Sequence, residues 1–274
     1  MNKNKLLIID VDLRTIYDSG YDIQKLTEFI KELQNRFEIL VSSTSWHKNI
    51  INFINLVNLD VNDVNLVASD GACLWKKSDK KFYYEGFFKK NDYDLINHFA
   101  LIKQSGIVIE GASSVDSYDN LMTTYFLNYN AIKKASLRWK YRMDWNNDYA
   151  TFNEALNKML VSQIYLYNIK EWINSEDFNQ TILDNERFDF IKLNDDDGLF
   201  INKNINKYKT IKKHFEDRFL IYLSLNNKID VSLYERFDYC VIPTNMNEEY
   251  KNNAHFIYEP NDLDSLLKNL QSII

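Results

Sequence analysis

Glycine, proline and cysteine are all scarce in this 274-residue chain, which has six glycines, two prolines and two cysteines. With so little glycine, the loops must be built mostly from Asn and Asp, which also tolerate turn conformations. Cys73 and Cys240 form no CxxC pair and suggest no disulfide framework, so each is expected to be a small buried residue. No apolar run approaches the roughly 18–20 residues needed to span a bilayer, so no membrane segment is expected. There is no Lys/Arg cluster, and the net charge is -6. Nothing in that pattern could neutralise a run of phosphates, which disfavours a nucleic-acid partner. The first residues enter a strand without a signal-peptide pattern, so a cytoplasmic protein is expected. Repeats and low-complexity linkers are absent as well.

Aromatic residues, by contrast, are plentiful at 15%, with 18 Tyr and 17 Phe. Core packing is their default role, and Trp139, Tyr141 and Trp145 are read that way. The length suits one large or two modest domains.

The most informative stretch is Leu6-Leu7-Ile8-Ile9-Asp10-Val11-Asp12. Four apolar residues predict a short buried strand, and it stops at two acids one position apart. In an α/β sheet the carboxyl ends of the strands are where ligands bind. Asp10 and Asp12 would share a face while Val11 points away. Two close carboxylates repel unless a cation lies between them or one holds a proton. The pair therefore reads as a metal site, as a nucleophile beside an acid/base, or as a strand ending in solvent.

Further along, Asp22 looks like a helix N-cap, with Ile23, Leu26, Ile30 and Leu33 following at helical spacing. Phe37 to Val41 predicts a second strand, ending in Ser42-Ser43-Thr44-Ser45. Strand, helix, strand is a right-handed parallel unit, which delivers these hydroxyls to the same edge as Asp10. They could bind a phosphate oxygen or cap the helix beginning near Trp46. Leu66 to Ser69 predicts a third strand, and Cys73 to Tyr84 a hairpin. Asp92 to Lys103 reads as a helix, and Met159 to Val161 and Ile164 to Tyr167 as apolar runs. Asp195-Asp196-Asp197-Gly198 lacks the spacing and closing Glu of a calcium loop and reads as a hairpin turn.

The order of an apolar strand with Asp10-x-Asp12, a strand leading to Ser43, then Val67-Ala68-Ser69-Asp70-Gly71-Ala72 resembles the haloacid dehalogenase superfamily. Within it, the chain is most similar to the sugar-phosphatase branch with a large inserted cap. That family usually has Ser-Asn-Gly-Ala where this chain has Ser69-Asp70-Gly71-Ala72. Two further family features follow downstream. Leu199-Phe200-Ile201 leads through a short loop to Lys207, which opens a helix. Phe219 to Leu225 then ends in Asn226-Asn227-Lys228-Ile229-Asp230, where the family has Gly-Asp-x-x-Asn-Asp.

The resemblance implies an α/β fold: a Rossmann-like parallel core from residues 1–83 and 203–274, with an α+β cap inserted over residues 84–202. It implies a magnesium-dependent phosphatase for a small phosphorylated metabolite, a sugar phosphate by analogy with the branch. Asp10 would be the nucleophile, Asp12 the acid/base, and Lys207 the partner of the charged phosphate. Ser43, Thr44 and Lys207 would hold the phosphoryl group. Asp10, Asp12, Asn226 and Asp230 would surround the metal. The chain departs from the family at Leu13 and Arg14, where a Gly and a Thr are usual, and at Thr44-Ser45, where Gly-Arg is common. Asn226 in place of Asp removes one formal charge, so metal affinity is expected to fall. A phosphomutase, and a non-catalytic protein binding a phosphorylated ligand or a partner protein, are the alternatives.

Overall fold

The computed structural model describes residues 5–12, 16, 20–44, 47–114, 121–126, 130–133, 148–180, 187–203, 205–226 and 236–273. The chain divides into two compact units, Met1–Glu85 with Lys207–Ile274, and Gly86–Asn206.

The first unit begins with β1 (Lys5–Asp10), α1 (Ile23–Gln34), β2 (Glu38–Ser42), α2 (His47–Leu56), β3 (Asn65–Ala68), β4 (Cys73–Lys76) and β5 (Lys81–Tyr84). The inserted unit supplies α3 (Lys90–Ile102), β6 (Gly106–Ala112), β7 (Leu121–Tyr125), α4 (Tyr149–Leu156), β8 (Leu160–Tyr167), β9 (Phe188–Lys192) and β10 (Asp197–Asn202). The chain returns to the first unit with α5 (Lys207–His214), β11 (Phe219–Ser224), β12 (Tyr239–Pro243), β13 (Phe256–Tyr258) and α6 (Leu263–Ser272).

The core sheet has eight strands in the order β13-β12-β11-β1-β2-β3-β4-β5. Pairing is parallel from β13 to β3 and antiparallel at β4 and β5. β1 lies between β2 and β11, and Leu6 to Ile9 are fully buried. Burial on both faces is why its sequence is continuously apolar rather than alternating. Leu7 and Ile9 pack in one cluster with residues of α1, α2 and α6. Leu6 and Ile8 pack on the opposite face with Ile211 and Phe215. The alternation puts Asp10 on the Leu6–Ile8 face, the side covered by α5.

Local signals explain where these elements start. Asp22 caps α1 by accepting from the backbone N–H of Gln24 at 2.9 Å and of Lys25 at 3.2 Å. Beyond β3 the chain turns through left-handed backbone at Ser69 (φ 49°), Asp70 (φ 54°) and Gly71 (φ 103°). Such a conformation costs a non-glycine residue about 1–3 kcal/mol. Thr210 of α5 helps fix it by donating to the Gly71 carbonyl at 2.7 Å.

The inserted unit carries a second, antiparallel sheet in the order β7-β6-β8-β10-β9. The architecture is therefore α/β, a mostly parallel core sheet with an inserted antiparallel sheet, as the sequence implied. The two apolar runs meet in a single strand, β8, which takes in Leu160–Tyr167 with Met159 just before it, and Ser162 and Gln163 between the runs are also buried. The acidic run 195–197 forms the β9–β10 hairpin turn, with the Leu193 N–H donating to Asp197 O at 2.9 Å. Trp139, Tyr141 and Trp145 lie outside the described residues. Among the described residues, no helix is long and apolar enough to cross a membrane.

Register in the inserted sheet shifts between Glu110 and Gly111, where β8 bulges against β6 with Ser162 as the extra residue. A Cβ on Gly111 would stand 2.1 Å from the Leu160 carbonyl oxygen, a backbone atom with no rotamer to escape into. Gly111→Ala should therefore cost about 1–3 kcal/mol in a urea unfolding curve. An unchanged midpoint would show that β8 can move aside.

Glu85, just past β5, accepts from His214 Nε2 at 2.5 Å and from Lys213 Nζ. Burial works to raise its pKa, but the hydrogen bonds and charges of Lys213 and His214 outweigh it and leave the carboxyl below its usual value. A depressed carboxyl adds stability above its unfolded pKa of about 4.3, and the gain is lost as pH falls through the lower folded value. Glu85→Gln should accordingly lower the melting temperature at neutral pH and flatten its decline in acid.

Candidate active site

Asp10 closes β1, yet the ladder continues one step beyond it on both sides. The Val11 N–H donates to Ser42 O at 2.9 Å, and the Leu225 N–H donates to Asp10 O at 3.0 Å. The Asp10 backbone is thereby clamped between two strands, and its side chain is 2% exposed.

Four donors converge on this carboxylate. Oδ1 accepts from Ser42 Oγ at 2.7 Å and from Lys207 Nζ at 2.8 Å. Oδ2 accepts from the Tyr222 hydroxyl at 2.9 Å and from Asn226 Nδ2 at 2.9 Å. An ionised carboxylate offers about four lone-pair positions, so each is matched by a donor. The Lys207 ammonium is the sole formal charge among these four donors, and it too is buried. Such a pair is held by its hydrogen bonds, and removing either partner strands the other charge.

Register explains who reaches Asp10. Ser42 and Ser224 stand directly beside it on β2 and β11. Tyr222 lies two residues before Ser224 and so on the same face, with its ring stacked on Phe237 (centroids 4.9 Å apart, 10° between planes). Lys207 is the first residue of α5, which packs on that face.

A second layer fixes Asn226. Its N–H donates to Ser224 Oγ at 3.1 Å, and that hydroxyl donates to the Asn226 carbonyl at 3.1 Å. Tyr258 donates its hydroxyl to Ser224 O at 2.8 Å. Its proton is thus committed, so the 2.7 Å contact between the phenols has Tyr21 donating to Tyr258. Burial pushes the Tyr21 phenol up to about 12 and Tyr258 well above its ordinary value.

No protein-family model matches the chain. Two curated relatives are similar in sequence. Uncharacterized protein MG374 of Mycoplasma genitalium is 22% identical over 215 residues, covering 78% of each chain. Its homologue in Mycoplasma pneumoniae is 24% identical over 210 residues, covering 77% of each. Solved structures align over almost the whole length. A haloacid dehalogenase-like hydrolase from Bacteroides thetaiotaomicron superposes with a TM-score of 0.72 at 14% identity, covering 99% of this chain and 100% of that one. The haloacid dehalogenase-like hydrolase from B. subtilis gives 0.71 at 13% identity, covering 98% and 100%. BT4131, described as a subclass IIB sugar phosphatase of that superfamily, gives 0.65 at 14% identity, covering 98% of both chains. The chain has the haloacid dehalogenase fold.

Within this fold, Asp10, Lys207 and Asn226 come together by direct hydrogen bonds. Asp12 is half-buried two residues on, and its carbonyl accepts from the Ile16 N–H at 3.1 Å. Ser43 is buried and anchored to β3, donating its N–H to Val67 O at 2.9 Å, and Thr44 next to it is half-buried. Asp230, Leu13 and Arg14 lie outside the described residues. Two contacts escaped the sequence reading. Ser42 donates its hydroxyl to Asp10, and Tyr222 was counted only as part of an apolar strand. Both had a signal: Ser42 ends its strand level with Asp10, and a buried tyrosine hydroxyl requires a partner.

For a divalent cation the donor set is mixed. Asp10 is a hard oxygen donor, and Asn226 Oδ1 is a buried carbonyl oxygen with no hydrogen-bond partner. These two suit magnesium in kind, although Asn226 turns its nitrogen to Asp10. Among the described residues no three His, Cys, Asp or Glu side chains cluster as a metal site.

Lys207→Met should lower stability by about 3–5 kcal/mol in equilibrium unfolding. Adding Asp10→Asn should recover part of that loss, because it removes the stranded charge. Strictly additive losses would mean that the two side chains are not coupled.

Proposed function

We propose that the chain is a phosphoric monoester hydrolase acting on a small phosphorylated metabolite at Asp10. The observation that carries this reading is the buried Asp10–Lys207 pair at the carboxyl edge of the parallel sheet. A carboxylate there is a candidate nucleophile, and an ammonium beside it offsets its repulsion from an anionic phosphate. The similarity to BT4131 supports a sugar phosphate as the substrate class.

In this reading, one of the four hydrogen bonds on Asp10 opens and the freed oxygen attacks phosphorus. The P–O ester bond breaks, and Asp12 gives its proton to the departing oxygen. Water then attacks the aspartyl-phosphate, Asp12 takes its proton, and Asp10 is released with inorganic phosphate. Lys207 keeps its charge beside the transferring group, with Ser43 and Thr44 as further donors to its oxygens. Magnesium, held by Asp10, the Asp12 main chain, Asn226 and Asp230, would neutralise phosphate charge.

The second reading is a protein that binds a phosphorylated ligand without hydrolysing it. The four donors already on Asp10 favour it, because an attacking oxygen must first give one of them up.

Phosphate release from a panel of sugar phosphates and one aryl phosphate, with magnesium and with chelator, tests both. Magnesium-dependent release should vanish in Asp10→Asn, and Lys207→Ala should lower it by roughly 10²–10³-fold. Phosphate-ester binding without release in the wild type would favour the second reading.

A further inference from the structure

Asp10 Oδ2 is the unusual half of this carboxylate. Oδ1 meets a hydroxyl and a charged amine, whereas Oδ2 meets two neutral donors, Tyr222 and Asn226. Both side chains are buried, and both hydrogen bonds are 2.9 Å long. A cation cannot take an oxygen lone pair at which an N–H or O–H already points, because the donor hydrogen carries positive charge.

Asn226 has two faces to offer. Its Nδ2 is used, while its Oδ1 is buried and has no hydrogen-bond partner. A half-turn of the amide exchanges them. The hydrogen bond to Asp10 is lost, and an oxygen suited to a hard cation takes its place.

Charge runs the same way. Asp10 and Lys207 cancel, and the other three donors are neutral. A carboxylate at position 226 would repel Asp10 whenever no cation separated them. An amide there lets the site close without one.

We propose that Tyr222 and Asn226 stand in for a divalent cation on Asp10, and that a cation binds only in competition with them, by turning the Asn226 amide. The proposal concerns the same site as the phosphatase reading and takes from it only the choice of magnesium. It is read by binding, so the two can fail separately.

The test is calorimetric titration of magnesium into the full chain, with melting curves in magnesium and in chelator. Wild type should melt at nearly the same temperature in both. Tyr222→Phe frees one lone pair and should bind magnesium at least about tenfold more tightly than wild type. Asn226→Asp should melt lower in chelator and be restored by magnesium, since a ligand that binds only the folded state raises its stability. A wild type that binds magnesium as tightly as both variants would overturn the proposal, as would an Asn226→Asp protein indifferent to chelator. If Tyr222→Phe does not fold, Asn226→Asp decides alone. The expected binding pattern with no phosphate release from any substrate would sink the phosphatase reading and leave this one standing.

Discussion

A charge buried at the centre of a sheet is the constraint that orders the rest of this molecule. Asp10 cannot remain ionised there without partners, because desolvating a lone carboxylate costs several kcal/mol or more. The fold meets that cost from three directions. β2 supplies a hydroxyl, β11 and the turn after it supply a phenol and an amide, and α5 supplies the ammonium. These elements are distant in sequence, and the parallel register brings them level. A one-residue slip of β1 against β2 or β11 would move Asp10 to the face packed by α1, α2 and α6, away from Lys207 and into a mainly apolar cluster. The charge thus disfavours misregister in a strand whose continuous apolar run does little to fix it.

Scarce glycine shapes the same edge. The turn after β3 passes through left-handed backbone at two residues that are not glycine, Ser69 and Asp70. An aspartate tolerates this conformation better than most, but a serine gains little there. The strain is tolerable because neighbouring groups over-determine the turn. Thr210 binds the Gly71 carbonyl, and Thr210 lies one helical turn from Lys207. One short helix therefore holds the strained turn and delivers the charge that Asp10 requires. Coupling of this kind explains why α5, at eight residues, is firm enough to position an ammonium.

Much of the core was legible in the sequence, since it is written in local signals. The four-residue apolar run of β1, the Asp22 cap and the Cys73–Tyr84 hairpin need no knowledge of distant partners. The approach of Lys207 to Asp10 was legible only through resemblance, because 197 positions separate them. The order of the inserted sheet was not legible. β6 pairs with both its neighbour β7 and the distant β8, and an antiparallel crossover leaves no spacing rule to read. Ser42 and Tyr222 were hidden for a related reason. Neither residue type signals a site, and their importance comes from which strand lies beside which.

The comparison with the haloacid dehalogenase fold sharpens what is particular to this chain. A fold can be kept at 13–14% identity because a buried parallel sheet asks only for apolar residues in register. A site asks for particular atoms, and those can change while the sheet stays. Here Asp10 and Lys207 pair their opposite charges, and Ser42, Tyr222 and Asn226 complete the carboxylate's hydrogen bonds. Once that pair is complete, a position beside it that held a second acid would add repulsion rather than function, unless a cation were always present. Asn226 and Tyr222 remove that dependence. The same substitution that weakens a metal site stabilises the carboxylate without one, so the departure at position 226 is better understood as a change in what balances Asp10 than as a loss.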